Sequence, residues 1–278
     1  MTTLDLMTPR RHLLDPADPR FAIQVALFSF VVVVHSDVRR AIFGMVVAVV
    51  GLLITDRRTQ IWFWWLLTAV MTVWFIYEWP TLDNHVALSV YWAGAIAFAL
   101  SGPDWEVTLA RLARWMIVTV FGLAVFWKLA SADFISGGFF EWTLVVDPRF
   151  APVSQLLGMS GEALAANRET VVVAGAGELA VGDSVRIAAQ WLTWGTLALE
   201  SAVAILWGLG ERVGKWRHLI LGLFALTTYA MVPVVGFGFM LLVMGLATVS
   251  TSKARLGYAS AALALFIYAA VWNRVVLG

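Results

Sequence analysis

Three residues in apolar parts of this chain have the chemistry for proton transfer: Lys128, His85 and Glu200. Lys128 ends the apolar segment Leu112–Trp127. A lysine that loses its water can give up its proton and act as a base. His85 opens another apolar segment, directly after Asn84, which could cap a helix there. Glu200 lies in the middle of a third, where a carboxylate costs about 2.5–3.5 kcal/mol on insertion scales and is expected to face other helices.

Each of the three also has a purely structural interpretation. Lys128 could anchor a helix end by extending its ammonium towards water. His85 could be a packing residue near a helix start, and Glu200 could hydrogen-bond one helix to another. The four histidines are scattered along the chain, so no metal site with dependable ligand spacing is predicted.

The composition indicates a membrane protein. Hydrophobic residues make up 61% of the chain and charged residues 13%, whereas soluble domains have about 45–50% apolar and about 25% charged residues. The net charge of +1 gives no basic field to hold a nucleic acid. Cysteine is absent, which excludes disulfides and thiolate chemistry.

The predicted fold is an all-α polytopic membrane protein with eight or nine transmembrane helices. A helix needs about 20 apolar residues to cross a bilayer, and flanking residues would complete the shorter segments. The run from Leu219 to Val249 is interrupted by Pro233 and two glycines, so two helices joined by a tight turn are predicted, with one long kinked helix as the alternative. The apolar cores are Phe21–Val34, Ala41–Thr55, Ile61–Tyr77, Val86–Leu100, Leu112–Trp127, Ala188–Leu209, Leu219–Val232, Val235–Val249 and Tyr258–Val271.

The distribution of basic residues predicts the orientation. Residues 1–20 are expected to form an N-terminal arm, and residues 21–278 a transmembrane domain in the inner (cytoplasmic) membrane. The arm is placed in the cytoplasm, because the loops on the cytoplasmic side then carry most of the arginines and lysines. Residues 131–187 would form an extracytoplasmic insertion within that domain. The Val-rich and Gly-rich stretch 170–187 predicts a small β-hairpin in this insertion.

Two stretches resemble the vitamin K-dependent γ-carboxylase and HTTM (horizontally transferred transmembrane) superfamily. The stretch 79–98, Trp-Pro-Thr-Leu-Asp-Asn-His-Val onwards, is similar to the segment in which an Asn-His pair opens a membrane helix. The stretch 125–137, Val-Phe-Trp-Lys-Leu-Ala-Ser-Ala-Asp-Phe-Ile-Ser-Gly, is similar to the family's lysine motif, with Phe134 in place of a tryptophan. The resemblance covers roughly residues 20–250.

The resemblance implies a catalytic site on the outer side of the membrane. Lys128 would be the base that deprotonates a reduced quinone, His85 would assist a later stage, and Asn84 belongs to the same motif. Trp79, Trp127 and Glu200 are the candidates for binding the quinone. Trp127 stands where the carboxylase carries a second lysine, and the other departures are Val125, Ala87, Val25 and Ala225. These departures favour a family member with a different task.

Two hypotheses of function therefore stay open, and both place the protein in a lipid bilayer. The first is a quinol-dependent oxidoreductase or carboxylase-like enzyme with an outer-facing site. The second is an accessory or structural subunit of a larger membrane complex, which the 15 tryptophans and the altered motif also suit. A transporter is the third, but no inverted repeat supports it.

Overall fold

The computed structural model describes residues 13–33, 38–78, 84–174, 179–231 and 234–276. All regular structure in these ranges is helical, with short 3₁₀ turns at Pro148–Phe150 and Gly210–Val213. The helices are α1 (Phe21–Val33), α2 (Val38–Leu53), α3 (Arg57–Tyr77), α4 (Asn84–Ser101), α5 (Trp105–Ala130), α6 (Ala132–Ile135), α7 (Gly138–Val146), α8 (Ala151–Leu156), α9 (Gly161–Ala174), α10 (Asp183–Leu209), α11 (Trp216–Met231), α12 (Val235–Ala247) and α13 (Ser252–Val276).

Among the described residues, four helices are long and apolar enough to cross a membrane. They are α3, α5, α13 and the combination of α10 with the following 3₁₀ turn. The prediction of a helical membrane protein is thereby confirmed. Four further apolar helices, α1, α2, α4 and α12, have shorter apolar stretches of 10–17 residues. The count of eight or nine spans stays a prediction.

The apolar run from Leu219 to Val249 forms two helices. One of them, α11, ends at Met231, and the other, α12, begins at Val235. Residues 232 and 233 between them lie outside the described residues. The prediction of two helices rather than one kinked helix is therefore confirmed.

The predicted β-hairpin at residues 170–187 is wrong. The first valines of that stretch continue α9, and α10 begins at Asp183. The Asn167 side chain makes the hydrogen bonds to the backbone beyond α9 that a second strand would otherwise make. Its side-chain amide donates to the Ala180 carbonyl oxygen at 2.9 Å, and its carbonyl oxygen accepts from the Ala180 backbone N–H at 2.9 Å. Residues 175–178 lie outside the described ranges, and residues 131–187 otherwise contribute the helices α6–α9.

The core of the bundle surrounds α12, most of whose residues from Val235 to Leu246 are buried. This helix packs against α1, α4, α5 and α13, while α10 packs along α5 and α3 along α4. Three tryptophans lie fully inside the bundle: Trp64, Trp92 and Trp207. Others, such as Trp62, are exposed at the surface, as expected of residues that contact lipid or the membrane interface.

Arginines at one end of the bundle bind carbonyl groups at the ends of neighbouring helices. Helix ends leave their last carbonyls without partners inside the helix, and a guanidinium can donate to two of them. Arg57 donates to Leu100 and Gly102, Arg114 to Trp207 at 2.9 Å and Gly208 at 2.5 Å, and Arg255 to Val249 at 3.1 Å. We call this end of the bundle, defined by Arg57, Arg114 and Arg255, the arginine side.

Replacing Arg114 by lysine is expected to destabilise the protein by about 1–3 kcal/mol, the cost of leaving buried hydrogen-bonding groups unpaired. Lysine keeps the positive charge but cannot donate in the same forked geometry to both carbonyl groups. Thermal unfolding in detergent would measure the change. The control is Arg111→Lys on the exposed face of the same helix, and an equal loss in both variants would contradict this role of Arg114.

The connection between α7 and α8 lies outside the membrane-spanning helices and contains a carboxylate whose pKa is lowered in the folded protein. Asp147 accepts from the Arg149 backbone N–H at 2.9 Å and pairs with the Arg149 guanidinium at 2.6 Å. Burial raises the pKa of the Asp147 carboxyl, but the hydrogen bonds and charge of Arg149 outweigh it, so the pKa lies below the ordinary value of 3.8.

Asp147 is therefore expected to stabilise the folded protein above its unfolded pKa, and the stabilisation should be lost as the pH falls through the lower folded pKa. We expect Asp147→Asn to melt earlier at neutral pH and to approach the unaltered protein in acid. Melting curves between about pH 6 and pH 3, a window that spans the ordinary carboxyl pKa, would show this. Asp183→Asn is the control, because the Asp183 side chain is 95% exposed. A constant gap between Asp147→Asn and the unaltered protein would contradict the assignment.

Candidate functional site

An ion pair between two helices joins two of the residues predicted to belong to a site. The Lys128 Nζ atom lies 2.5 Å from Oε1 of Glu200 and 2.6 Å from Oε2. The Lys128 side chain is 23% exposed and the Glu200 side chain 9%. Glu200 is therefore held inside the bundle by the ammonium group, as expected of a carboxylate within an apolar helix.

The helical repeat explains why these two side chains meet. The buried face of α10 runs through Val185, Ala189, Thr193, Leu197, Glu200, Val203 and Trp207. On α5 the buried residues Leu109, Ala113, Ile117 and Phe121 are four residues apart. Lys128 follows Phe121 by seven residues, which places it on the same face. Because α5 and α10 pack along each other, the two faces bring the charges together.

The ion pair forms one wall of a cavity of about 510 Å³ between α5, α10, α11 and the helices α6 and α7. The remaining lining is largely aromatic and aliphatic, with three threonines as further polar residues: Thr196, Thr227 and Thr228. Such a cavity falls within the size range of small-molecule sites, about 300–1,000 Å³. A few polar groups in apolar walls are typical of sites that fix the orientation of a ligand.

Three phenylalanines cover the cavity on the side of α6 and α7. The rings of Phe134, Phe139 and Phe140 lie 5.2–5.6 Å apart between centroids. The Lys128 ammonium lies 5.5 Å from the centroid of Phe134, within the range of a cation–π interaction. The Lys128 ammonium therefore contacts the Phe134 ring of this aromatic cluster as well as its carboxylate partner.

The turn between α6 and α7 is fixed to α10. Gly137 begins this turn with a φ of +87°, a conformation that favours glycine. The Gln190 side-chain amide donates to the Ser136 carbonyl oxygen. Both features hold the cluster Phe134, Phe139 and Phe140 in position over the ion pair.

The structure separates His85 from this cavity. His85 lies near the start of α4 and does not line the cavity. Its ring packs instead on Gly236 of α12, where an added Cβ would lie 2.6 Å from the His85 Cδ2 atom and 2.9 Å from Nε2. The two residues that the resemblance makes catalytic therefore do not share this site.

The other predicted residues also differ in position. The Trp127 side chain is 68% exposed and stacks edge-on with Phe126, away from the cavity lining. The backbone of Asn84 opens α4, but its side chain lies outside the described residues, as does Trp79. Of the predicted site, the structure thus brings together Lys128 and Glu200.

Sequence reasoning did not find the aromatic and threonine parts of the lining. Phe139 and Phe140 follow the lysine motif by only a few residues, and this local run of aromatics was the available signal. The sequence around the threonines of α11 does not predict that they line the cavity, because their position beside α10 depends on how the helices pack. Within the part of the chain that the structure describes, no group of three or more His, Asp or Glu side chains could hold a metal ion.

The arrangement suits an uncharged molecule with a polar end. The ion pair offers ammonium donors and carboxylate acceptors with no net charge, and the phenylalanines suit a ring or a hydrocarbon group. A quinol head group, with hydroxyls that donate and accept, fits this set of residues in size and in chemistry. Lys128 and Glu200 would hold its oxygens, and Phe134 would contact its ring.

Comparisons of the chain with protein-family models, with curated proteins and with solved structures find no match. The resemblance to the carboxylase and HTTM superfamily therefore stays a prediction. The ion pair and the cavity beside it are the features of the structure that bear on function.

Proposed function

We propose that this protein binds the head group of a lipid-soluble quinol in the Lys128–Glu200 cavity, as the site of a quinol-dependent oxidoreductase or carboxylase-like membrane enzyme. The observation that carries the proposal is a mostly buried ion pair that lines an aromatic cavity large enough for a small ring system. Intramembrane charged residues are rare and are typical of functional sites.

The two charged residues have complementary tasks in this proposal. A bound quinol supplies two electrons and two protons. The Glu200 carboxylate accepts a hydrogen bond from a quinol hydroxyl, and the Lys128 ammonium donates to a quinol oxygen. The buried Phe134 ring covers the ammonium on one side, and apolar surroundings of this kind strengthen both interactions.

The position of His85 favours a second candidate function, a non-catalytic accessory subunit that holds a quinone or lipid for a larger membrane complex. In the resemblance Lys128 and His85 assist successive stages of one reaction, but His85 packs on Gly236, away from the cavity beside Lys128. An accessory subunit would need to bind the quinone or lipid but would not need His85 as a second catalytic group. Co-purification of a stable partner in mild detergent, with no turnover by the isolated protein, would favour this candidate.

The proposed orientation places the arginine side in the cytoplasm and α6–α9 outside the inner membrane, with eight or nine spanning segments. Support comes from the arginines concentrated at the arginine side. The chain has no cysteine, so a single introduced cysteine is the one residue of the protein that a thiol reagent can label. We expect a thiol reagent that cannot cross membranes to label Leu156→Cys in intact cells and to label Lys215→Cys only after the membrane is opened. The reverse labelling pattern would contradict this orientation.

The binding proposal can be tested with protein in lipid nanodiscs and a naphthoquinone that carries an isoprenoid chain. Binding would be followed by quenching of tryptophan fluorescence, because Trp191 lines the cavity. The variant Lys128→Met with Glu200→Leu is expected to keep its fold and to bind at least about tenfold more weakly, a loss of about 1.4 kcal/mol. The control is Lys215→Met on the arginine side. Equal affinity in the double variant would refute the proposed site.

A further inference from the structure

The cavity beside Lys128 is covered on one side and open on another. Towards α6 the covering residue Phe134 is only 4% exposed, whereas its neighbour Phe139 on α7 is 45% exposed. Between α10 and α11 the lining residues are exposed instead: Trp191 at 77%, with Gly195 and Thr228 also exposed. The opening therefore lies between α10 and the last turn of α11, near the end of the bundle at which α5 also ends.

The opening lies along the length of a membrane-spanning helix. Gly195 precedes Glu200 by five residues, which corresponds to about 8 Å along α10 at 1.5 Å per residue. α10 belongs to one of the four segments long and apolar enough to cross a membrane. Where such a segment passes through the bilayer core, its exposed residues contact lipid, since the core contains no water. A molecule at this opening would therefore come from the bilayer.

Gly195 has no side chain, so it does not narrow the opening between α10 and α11. An added Cβ at this position would have no atom within 4 Å, apart from the chain's own neighbouring backbone. A larger side chain could therefore be accommodated by the fold, but it would project into the space between α10 and α11. Because glycine weakens a helix interior by about 1 kcal/mol relative to alanine, folding of α10 does not require glycine here.

We infer that the ligand enters the cavity sideways from the bilayer, between α10 and α11, and that its hydrocarbon chain stays in the gap at Gly195. This inference rests on the proposed function and adds the substrate class to it: a bilayer-dissolved quinol with an aliphatic chain. Gly195 determines the specificity for that chain. Entry past α6 would require the buried Phe134 to move first.

The test compares two probes in nanodiscs, a naphthoquinone with a four-unit isoprenoid chain and 2-methyl-naphthoquinone, which has no chain. We expect Gly195→Leu to weaken binding of the chain-bearing probe by about tenfold or more, because the leucine fills the gap that the chain occupies. Binding of the chainless probe should change by less than about threefold, since the Lys128–Glu200 pair is untouched. Gly122→Leu on the exposed face of α5 is the matched control, because an added Cβ there also has open space.

The outcomes separate the two proposals. If the unaltered protein binds neither probe, the proposed quinol function is overturned. If it binds both, and Gly195→Leu leaves the affinity for the chain-bearing probe unchanged, only the entry route is overturned. An equal loss for both probes would also overturn the entry route, because it would place the leucine in the head-group site.

Discussion

The variant Lys128→Met is expected to lose about 3–5 kcal/mol of unfolding free energy, the typical cost of removing one member of a buried ion pair. Glu200 causes most of this loss. Its side chain is 9% exposed and lies against the ammonium through both carboxylate oxygens. Without Lys128 it would be a buried charge with no partner or would have to take up a proton.

The double variant Lys128→Met with Glu200→Leu is expected to be nearly as stable as the unaltered protein, because a well-packed apolar pair often replaces a buried ion pair without loss. Thermal and denaturant unfolding in detergent would compare the two single variants with the double variant. A double variant that loses as much as the sum of the single variants would show that the two charges do not stabilise each other.

The variant Gly236→Ala is expected to destabilise the protein by about 1–3 kcal/mol, the usual cost of overpacking a core. The added Cβ would lie 2.6 Å from the Cδ2 atom of His85, so the imidazole or the start of α12 must shift. The same clash predicts a rescue. In a His85→Ala background the Cβ has room, and Gly236→Ala should then cost much less.

The measurement is a double-mutant cycle on residues 85 and 236, followed by thermal unfolding. Gly222→Ala is the control for the change of residue type, since an added Cβ at this position meets open space. If Gly236→Ala costs the same with and without His85, the histidine ring is not what requires the glycine. That result would remove the structural explanation for the separation of His85 from the cavity.

Sequence reasoning found the two charges of the site but not their contact. Lys128 and Glu200 each stand out because a charge in an apolar segment is costly, and that signal is local. They are 72 residues apart in sequence, and only the packing of α5 on α10 brings them together. The same packing excludes Trp127, which neighbours Lys128 in sequence but lies on an exposed face of α5, about 100° around the helix.

The incorrect hairpin shows the opposite case, in which a local signal was overruled by a distant contact. Valines and glycines favour strands and turns. However, α9 continues through the valines, and Asn167 supplies the two hydrogen bonds that a partner strand would have made at Ala180. A single asparagine inside a helical segment gives no sign in the sequence that it will do this.

The arginine side has a consequence for how the protein is made. Of the 19 basic residues, only Lys128, Lys215 and Lys253 are lysines, and lysine would orient loops in a membrane as well as arginine does. Under the proposed orientation, the arginines that would direct insertion also tie Leu100, Gly102, Trp207, Gly208 and Val249 to their neighbours. Orientation and closure of the bundle would then depend on the same side chains, and replacing one of these arginines would affect both insertion and folding.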